Sequence, residues 1–401
     1  MITCYLDSQD YSILTDPKAS DTAHGKTRQA LLELSHSGRV VFAFSVITVS
    51  EAVSLTPQAS HLAELKADFL GDLCNSNALL SLDRLVETEV TALTSQSGKP
   101  PTMFDSEGRW FPLMPVDTSP SIGMSQPLQI SDEDINTLGL SRFQKRAASR
   151  KLIKRGKPRA TLKAQLDRQD SLAIACELIK QYPMRPEDAG VVSEYMLGRA
   201  SEADFNAALS GSLKDPRFMM KWFTTQHAMS SSISEIVRQP GRELGELMRT
   251  LVDISLSLAN SFLAIGREGE ISRMWSQTQD GQLIGVASQV AQKMNISKTL
   301  NATAQEVDVH APGLSACVRS LYSSVWDNVH GNRRELPSNS QPVDALHACY
   351  APYVDVFRAD RYMAPHIQRQ VERHGTVVVP RLSQLVEVLE SQLKYEARSG
   401  N

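Results

Sequence analysis

Four short, unbroken apolar runs stand out along the chain: ITCYL (2–6), RVVFAF (39–44), YVDVFRA (353–359) and TVVVP (376–380). Runs of this length, rich in β-branched and aromatic residues and bounded by acids, Gly or Pro, predict strands of a parallel sheet buried on both faces. ALLSL (78–82) predicts a further strand. Between them the period changes. TRQALLELSHSG closes at Gly38, ITVSEAVSL carries Glu51, and HLAELKADFLGDL and DRLVETEVTAL space their apolar residues three and four apart, as helices do. At the other end a helix near Pro342 holds Asp344 and His347, and PHIQRQVERHG and RLSQLVEVLESQL are helical. Strands alternating with helices predict an α/β fold with a parallel sheet and helices on its faces.

The middle of the chain departs from that rhythm. Prolines 100, 101, 112, 115, 120 and 127 interrupt a Ser- and Gly-rich stretch, predicting a long loop or linker packed only at Trp110 and Phe111. Beyond it the pattern is helical, opening with an N-cap at Ser131. Leu162, Leu166, Leu172, Cys176 and Ile179 mark one apolar face, and a second apolar helix spans 247–265. The expected organisation is a domain of residues 1–95 plus 335–401, a Pro/Ser-rich linker over 96–130, and a mostly α-helical insertion over 131–334 that splits the first domain.

With 401 residues, 41% of them hydrophobic, the chain can bury more than one core. A net charge of -3 excludes a uniformly basic nucleic-acid coat, although not a local basic patch. The five scattered cysteines show no metal or CxxC spacing, so a disulfide scaffold or zinc finger is not expected and a reducing cytoplasm is. No signal peptide is expected in MITCYLDSQD, and Arg249 and Asp253 interrupt the most apolar helix, so no membrane span is expected.

Charge placement sharpens the picture. Open parallel sheets carry their sites at the carboxyl ends of strands. Asp7 and Asp360 end two strands, while Glu51 and Asp344 sit in helices that enter from that rim. Four acids converging there repel one another unless a cation joins them. Oxygen donors without Cys point to Mg²⁺ or Mn²⁺. No GxSxG elbow, HExxH or GxGxxG is present, and HGKT (24–27) has Ser20 where a phosphate-binding loop needs its first Gly.

The order Asp7, Ser45-x-x-Thr48-x-x-Glu51, Asp344-x-x-His347 and Asp360 resembles the PIN-domain family of metal-dependent ribonucleases. A subgroup motif, D-x-x-H-x-x-Y-x-x-Y-x-D-x-F-x-x-D, runs from Asp344 through His347, Tyr350, Tyr353, Asp355 and Phe357 to Asp360. The resemblance implies a PIN-like fold in which Asp7, Glu51, Asp344 and Asp360 bind the metal and Ser8 supports the cluster. It covers residues 1–95 and 335–401 only. Ala359 stands where the family usually has Thr, and ordinary PIN domains have nothing like the long span between Glu51 and Asp344. His347 and Asp355 are expected around the metal ligands, Asp355 being equally compatible with a structural pairing. Small members of the family are toxins restrained by a partner, so a protein regulator is also implied.

The stretch 142–168 holds eleven Lys or Arg against Asp167. Such density attracts phosphate backbones, which makes Arg146, Arg150, Lys151, Lys154, Arg155, Lys157 and Arg159, with Arg361 beside the fourth acid, candidate contacts for RNA, single-stranded or structured. A solvated helix face or an acidic protein partner accounts for the same charges. The expectation is a Mg/Mn-dependent endonuclease acting on RNA by metal-activated water. The competing expectations are an inactive PIN-like scaffold or nucleic-acid-binding subunit, and a DNA nuclease.

Overall fold

Strand-forming runs separated by most of the chain meet in one sheet. The computed structural model describes residues 1–19, 22–52, 60–96, 103–104, 110, 153–154, 157–158, 171–181, 184–225, 246, 257, 268–330 and 341–399. In it β1 (Ile2–Tyr5), β2 (Val40–Ala43), β3 (Val356–Arg358) and β4 (Val377–Val379) lie parallel in the order β2-β1-β3-β4. Cys4 pairs with Phe42 on one side and Val356 on the other, and Phe357 pairs with Val378. The fold is therefore mixed α/β, mostly helical, around a small parallel sheet. Winding reverses between β1 and β3, the topological switch point at which open α/β sheets form a crevice.

Expected and observed elements differ in informative places. After Asp7 the chain goes directly into α1 (Ser8–Leu14), followed by α2 (Ala23–His36). Gly38, at φ +66, turns the chain out of α2 into β2. After β2 come α3 (Val46–Ala52), α4 (Ser60–Cys74) and α5 (Leu82–Ser95). The expected strand at 78–82 is reduced to isolated bridges, Phe44 with Ala78 in parallel and Leu79 with Phe104 antiparallel, because helix α5 claims the run from Leu82. Through Phe104 and Trp110, the expected linker contributes to the folded body. Trp110 is buried with its ring 5.2 Å from that of Phe44, edge to face. Phe111 and Ser131 lie outside the described residues.

Contacts divide the chain into two compact bodies, Met1–Ser54 with His61–Leu113 and Ser232–Asn401, and Leu55–Ser60 with Met114–Ser231. This corrects the expected boundary at 334. In the first body α10 (Glu268–Lys293), α11 (Ala304–His310) and α12 (Pro312–His330) share a core with α5, in which Val86, Val90 and Leu93 meet Leu283, Ala287, Val307, Leu314 and Val318. Glu89, fully buried on α5, fastens them: its carboxylate accepts the backbone N–H of Gly313 at 2.6 Å and of Leu314 at 2.9 Å, satisfying donors that a helix start leaves open. The Tyr353 hydroxyl donates to the same carboxylate. A Cβ at Gly313 would come within 2.4 Å of the Cys349 carbonyl, so the close approach requires Gly. The body is completed by α13 (Gln341–His347), a 3-10 turn (Ala348–Tyr353), α14 (Ala364–Val371) and α15 (Leu382–Ser399). The 3-10 turn, containing Pro352, replaces the first part of the expected strand at 353–359.

The second body contains α6 (Ser171–Gln181), α7 (Pro186–Met196), α8 (Glu202–Lys214) and α9 (Pro216–Thr225), plus a short hairpin pairing Ile153–Lys154 with Lys157–Pro158. Its core joins Ala175 and Leu178 to Val192, Tyr195, Phe205 and Leu209. The expected apolar face of α6 is a second correction. Leu172, Cys176 and Ile179 are exposed, because Ala175 and Leu178, also at helical spacing, turn a neighbouring face inward. Leu162, Leu166 and the helix expected at 247–265 fall outside the described side chains. Among the described residues no helix is long and apolar enough to cross a membrane.

Candidate active site

At the carboxyl ends of β1 and β3 the chain places three of its four candidate acids on one cleft, with the fourth, Glu51, near enough for its charge to act on Asp344. Asp7 follows β1 in extended conformation as the N-cap of α1, its Oδ1 accepting the Gln9 N–H at 2.9 Å. Asp360 follows β3 and caps the next turn, accepting the Met363 N–H. Asp344 stands in the first turn of α13, and Glu51 in the last turn of α3. Asp7, Asp344 and Asp360 line a narrow cleft together with His347, Arg358, Ala359 and Met363.

The acids feel one another. Burial pushes the Asp344 carboxyl up to about 8, and the charges of Asp360, Asp7 and Glu51 add to the rise, with His347 opposing. Among the described residues no donor hydrogen-bonds Asp344, whereas each of the other three acids has at least one. As these side chains stand, no three Asp, Glu, His or Cys among the described residues form a ready ligand set for a metal ion. Glu51 is turned toward Ser8 and His347, Asp7 toward the start of α1, and Asp360 toward Met363. The donors are nonetheless all carboxylate oxygens crowded on one cleft, the chemistry suited to Mg²⁺ or Mn²⁺ rather than to a soft metal.

Behind the acids runs a hydrogen-bonded chain. Ser8 Oγ donates to Glu51 Oε2 at 2.6 Å and lies 3.3 Å from Asp7 Oδ1. His347 Nε2 is 2.8 Å from the same Glu51 oxygen, and its Nδ1 is 2.6 Å from the Tyr5 hydroxyl. Tyr5, fully buried, also meets Ser45 Oγ at 2.6 Å and Thr48 Oγ1 at 2.8 Å. Burial pulls the His347 pKa down, but Tyr5 and Glu51 outweigh it and hold the imidazole well above its ordinary range. Its two N–H groups then donate to Tyr5 and Glu51, leaving the Tyr5 proton for Ser45 or Thr48. Tyr5 was missed in the sequence because it reads as one more apolar residue of a buried strand. Its stacking on Phe357, ring centroids 5.3 Å apart, fulfils that role as well.

Of the two roles expected for Asp355, the structure shows the structural pairing. Its Oδ2 accepts the Thr3 N–H at 2.7 Å, at the opening end of β3. Five residues of extended chain separate it from Asp360, about 16 Å, so it aligns β1 with β3 and takes no part in the cleft. Tyr350 and Tyr353 are anchors, bonding to the Leu80 carbonyl at 3.0 Å and to Glu89. Arg361 is exposed beside the cleft. Arg146, Arg150, Lys151, Arg155 and Arg159 lie outside the described residues, and only the backbones of Lys154 and Lys157, in the hairpin, are described.

Arg358, which flanks the fourth acid in the sequence and is open there to a phosphate-contacting or a solvated role, is instead buried in an ion pair that the sequence does not reveal. Asp10, three residues beyond Asp7, is fully buried against Arg358, Oδ1 to Nη2 at 3.0 Å. Burial lifts the Asp10 carboxyl to about 7, with Arg358 opposing the rise and Asp7 adding to it. Comparison of the chain with protein-family models, curated proteins and solved structures finds no match.

Proposed function

We propose that the chain is a PIN-like, Mg²⁺- or Mn²⁺-dependent endonuclease that hydrolyses phosphodiester bonds in RNA. The observation that carries this reading is the gathering of Asp7, Asp344 and Asp360 on one cleft with Glu51 nearby, where Asp344 stands half-buried among like charges with no donor among the described residues. Folding alone gains nothing from such crowding. Those four carboxylates would hold the metal. When bound, such an ion lowers the pKa of its water and neutralises charge on an in-line phosphoryl transition state.

The protein's own part is orientation. Ser8 and protonated His347 fix Glu51, Tyr5 fixes His347, and the α1 N-terminus fixes Asp7. The basic 142–168 segment would grip the RNA backbone by charge, with Arg361 reaching phosphates beside the cleft. The resemblance to PIN domains and the five free cysteines, which suit a reducing cytoplasm, support the same reading. A second reading, a metal-free PIN-like binding subunit, is favoured by the lack of a ready ligand set among the described residues.

Incubating purified protein with labelled single-stranded RNA and DNA, with and without Mn²⁺, separates the two. Mn²⁺-dependent RNA cleavage that Asp7→Asn abolishes, with RNA binding retained, is the expected result. Binding without cleavage under every metal condition would favour the second reading, and cleavage confined to DNA would move the substrate.

A further inference from the structure

The Asp10–Arg358 pair at the floor of the cleft has no role in the four-acid account. Arg358 is the last residue of β3 and Asp10 lies one turn into α1, and the two side chains are 7% and 0% exposed. Beyond the 3.0 Å contact of Nη2 with Asp10 Oδ1, Arg358 Nε and Nη1 and Asp10 Oδ2 have no hydrogen-bond partner among the described residues. Charge, rather than a completed network, holds the pair. Stability does not account for it, since an apolar pair of similar volume commonly serves a core as well or better.

Placement offers an account. Arg358 lines the same cleft as Asp7, Asp344 and Asp360, and precedes Asp360 by two residues. A guanidinium on its long side chain can reach more than one carboxylate, and Nε and Nη1, on either side of Nη2 in the guanidinium plane, each have a proton to give. The chain thus keeps a second cation, besides His347, beside the cluster of acids and engaged by none of them.

We infer that Asp10 is a positioning residue that holds the Arg358 guanidinium at the floor of the cleft and keeps it from occupying Asp7, Asp344 and Asp360 in place of a divalent cation. This inference rests on the metal-binding reading proposed above. Removing Asp10 frees Arg358 to pair with the cleft acids, so Mn²⁺ must displace an internal counter-ion. Removing Arg358 as well abolishes the competitor.

The test is calorimetric titration of Mn²⁺ into the full chain and into Asp10→Asn, Arg358→Met and the double variant, each checked for folding by thermal melting. Asp10→Asn is expected to weaken Mn²⁺ binding by about tenfold or more, an apparent-affinity loss of the kind a competing internal state imposes. Arg358→Met should bind no more weakly than the unmodified chain, and the double variant should return to within about threefold of it. Unchanged affinity in Asp10→Asn, or a double variant as weak as Asp10→Asn, overturns the inference. Should Asp10→Asn fail to fold, Asp10→Glu takes its place, shifting the carboxylate by one methylene. Weakened binding rescued by Arg358→Met is then expected, and unchanged or unrescued binding overturns the inference. No Mn²⁺ binding by the unmodified chain overturns the metal-centre reading itself, a distinguishable failure.

Discussion

Two carboxylates on this chain, fully buried Glu89 and half-buried Asp344, have similarly elevated pKa values for different reasons. Glu89 reaches about 7 by burial alone, against three donors that favour its charged form: Tyr353, Leu314 and Gly313. Asp344 reaches about 8 by burial and by the charges of Asp360, Asp7 and Glu51. One acid is surrounded by its answer and the other by copies of its problem. Glu89 is therefore a structural clamp, complete within the protein, whereas Asp344 stands among like charges that a cation would neutralise under the proposed reading.

The sharpest way to break this contrast is to neutralise each acid. Asp344→Asn should reduce RNA cleavage by about 10³-fold or more, the scale expected when charge stabilisation at a transition state is lost. Its melting temperature should hold or rise, because a repulsive charge is gone. Glu89→Ala should do the reverse, destabilising the fold by about 3 kcal/mol as two helix-start N–H groups and a tyrosine hydroxyl lose their acceptor, measurable by urea unfolding. Its Mn²⁺ affinity, measured where the variant is folded, should stay within about twofold.

Acidity separates the regions next. Both carboxyls have folded pKa values above the ordinary range near 4. A group raised in the folded state binds its proton more tightly there, so its contribution to stability is full below the unfolded pKa and is lost as pH rises through the folded value. Without metal, the protein should lose stability between about pH 4 and pH 8, seen as a falling melting temperature. Mn²⁺ should restore more at the alkaline end, since it binds the ionised cleft. Asp344→Asn should remove that metal-dependent gain, and Glu89→Gln should leave it.

The smallest effect is expected at Asp355. Replacing it by Ala leaves one partly solvated Thr3 N–H without its acceptor, a loss of about 1 kcal/mol by thermal melting. Cleavage should change less than about twofold, and a larger fall would return Asp355 to the site.

How much of this was legible follows from what each interaction requires. The strands β1 to β4 were legible because burial on both faces leaves an apolar run with no competing period, and Asp7 and Asp360 because a parallel strand presents its next polar residue at the crevice. Tyr5, Asp10 and Arg358 were not. Tyr5 hides in the apolar run that it also serves, and Asp10 and Arg358 acquire meaning only when β1 and β3 pair across most of the chain. Helix α12 carries an ordinary amphipathic pattern, and nothing in it names Glu89 as the side chain that receives its first N–H groups. On α6 two helical spacings coexist, and tertiary packing selected Ala175 and Leu178 over Leu172 and Ile179.

The central claim, that the cleft acids form a cation site rather than a crowded surface, is tested most directly by titrating Mn²⁺ into the unmodified chain and into Asp344→Asn while following heat and proton release. Saturable binding that expels protons near neutral pH, abolished in Asp344→Asn, is the predicted result. No saturable binding, or binding that Asp344→Asn leaves intact, would contradict it.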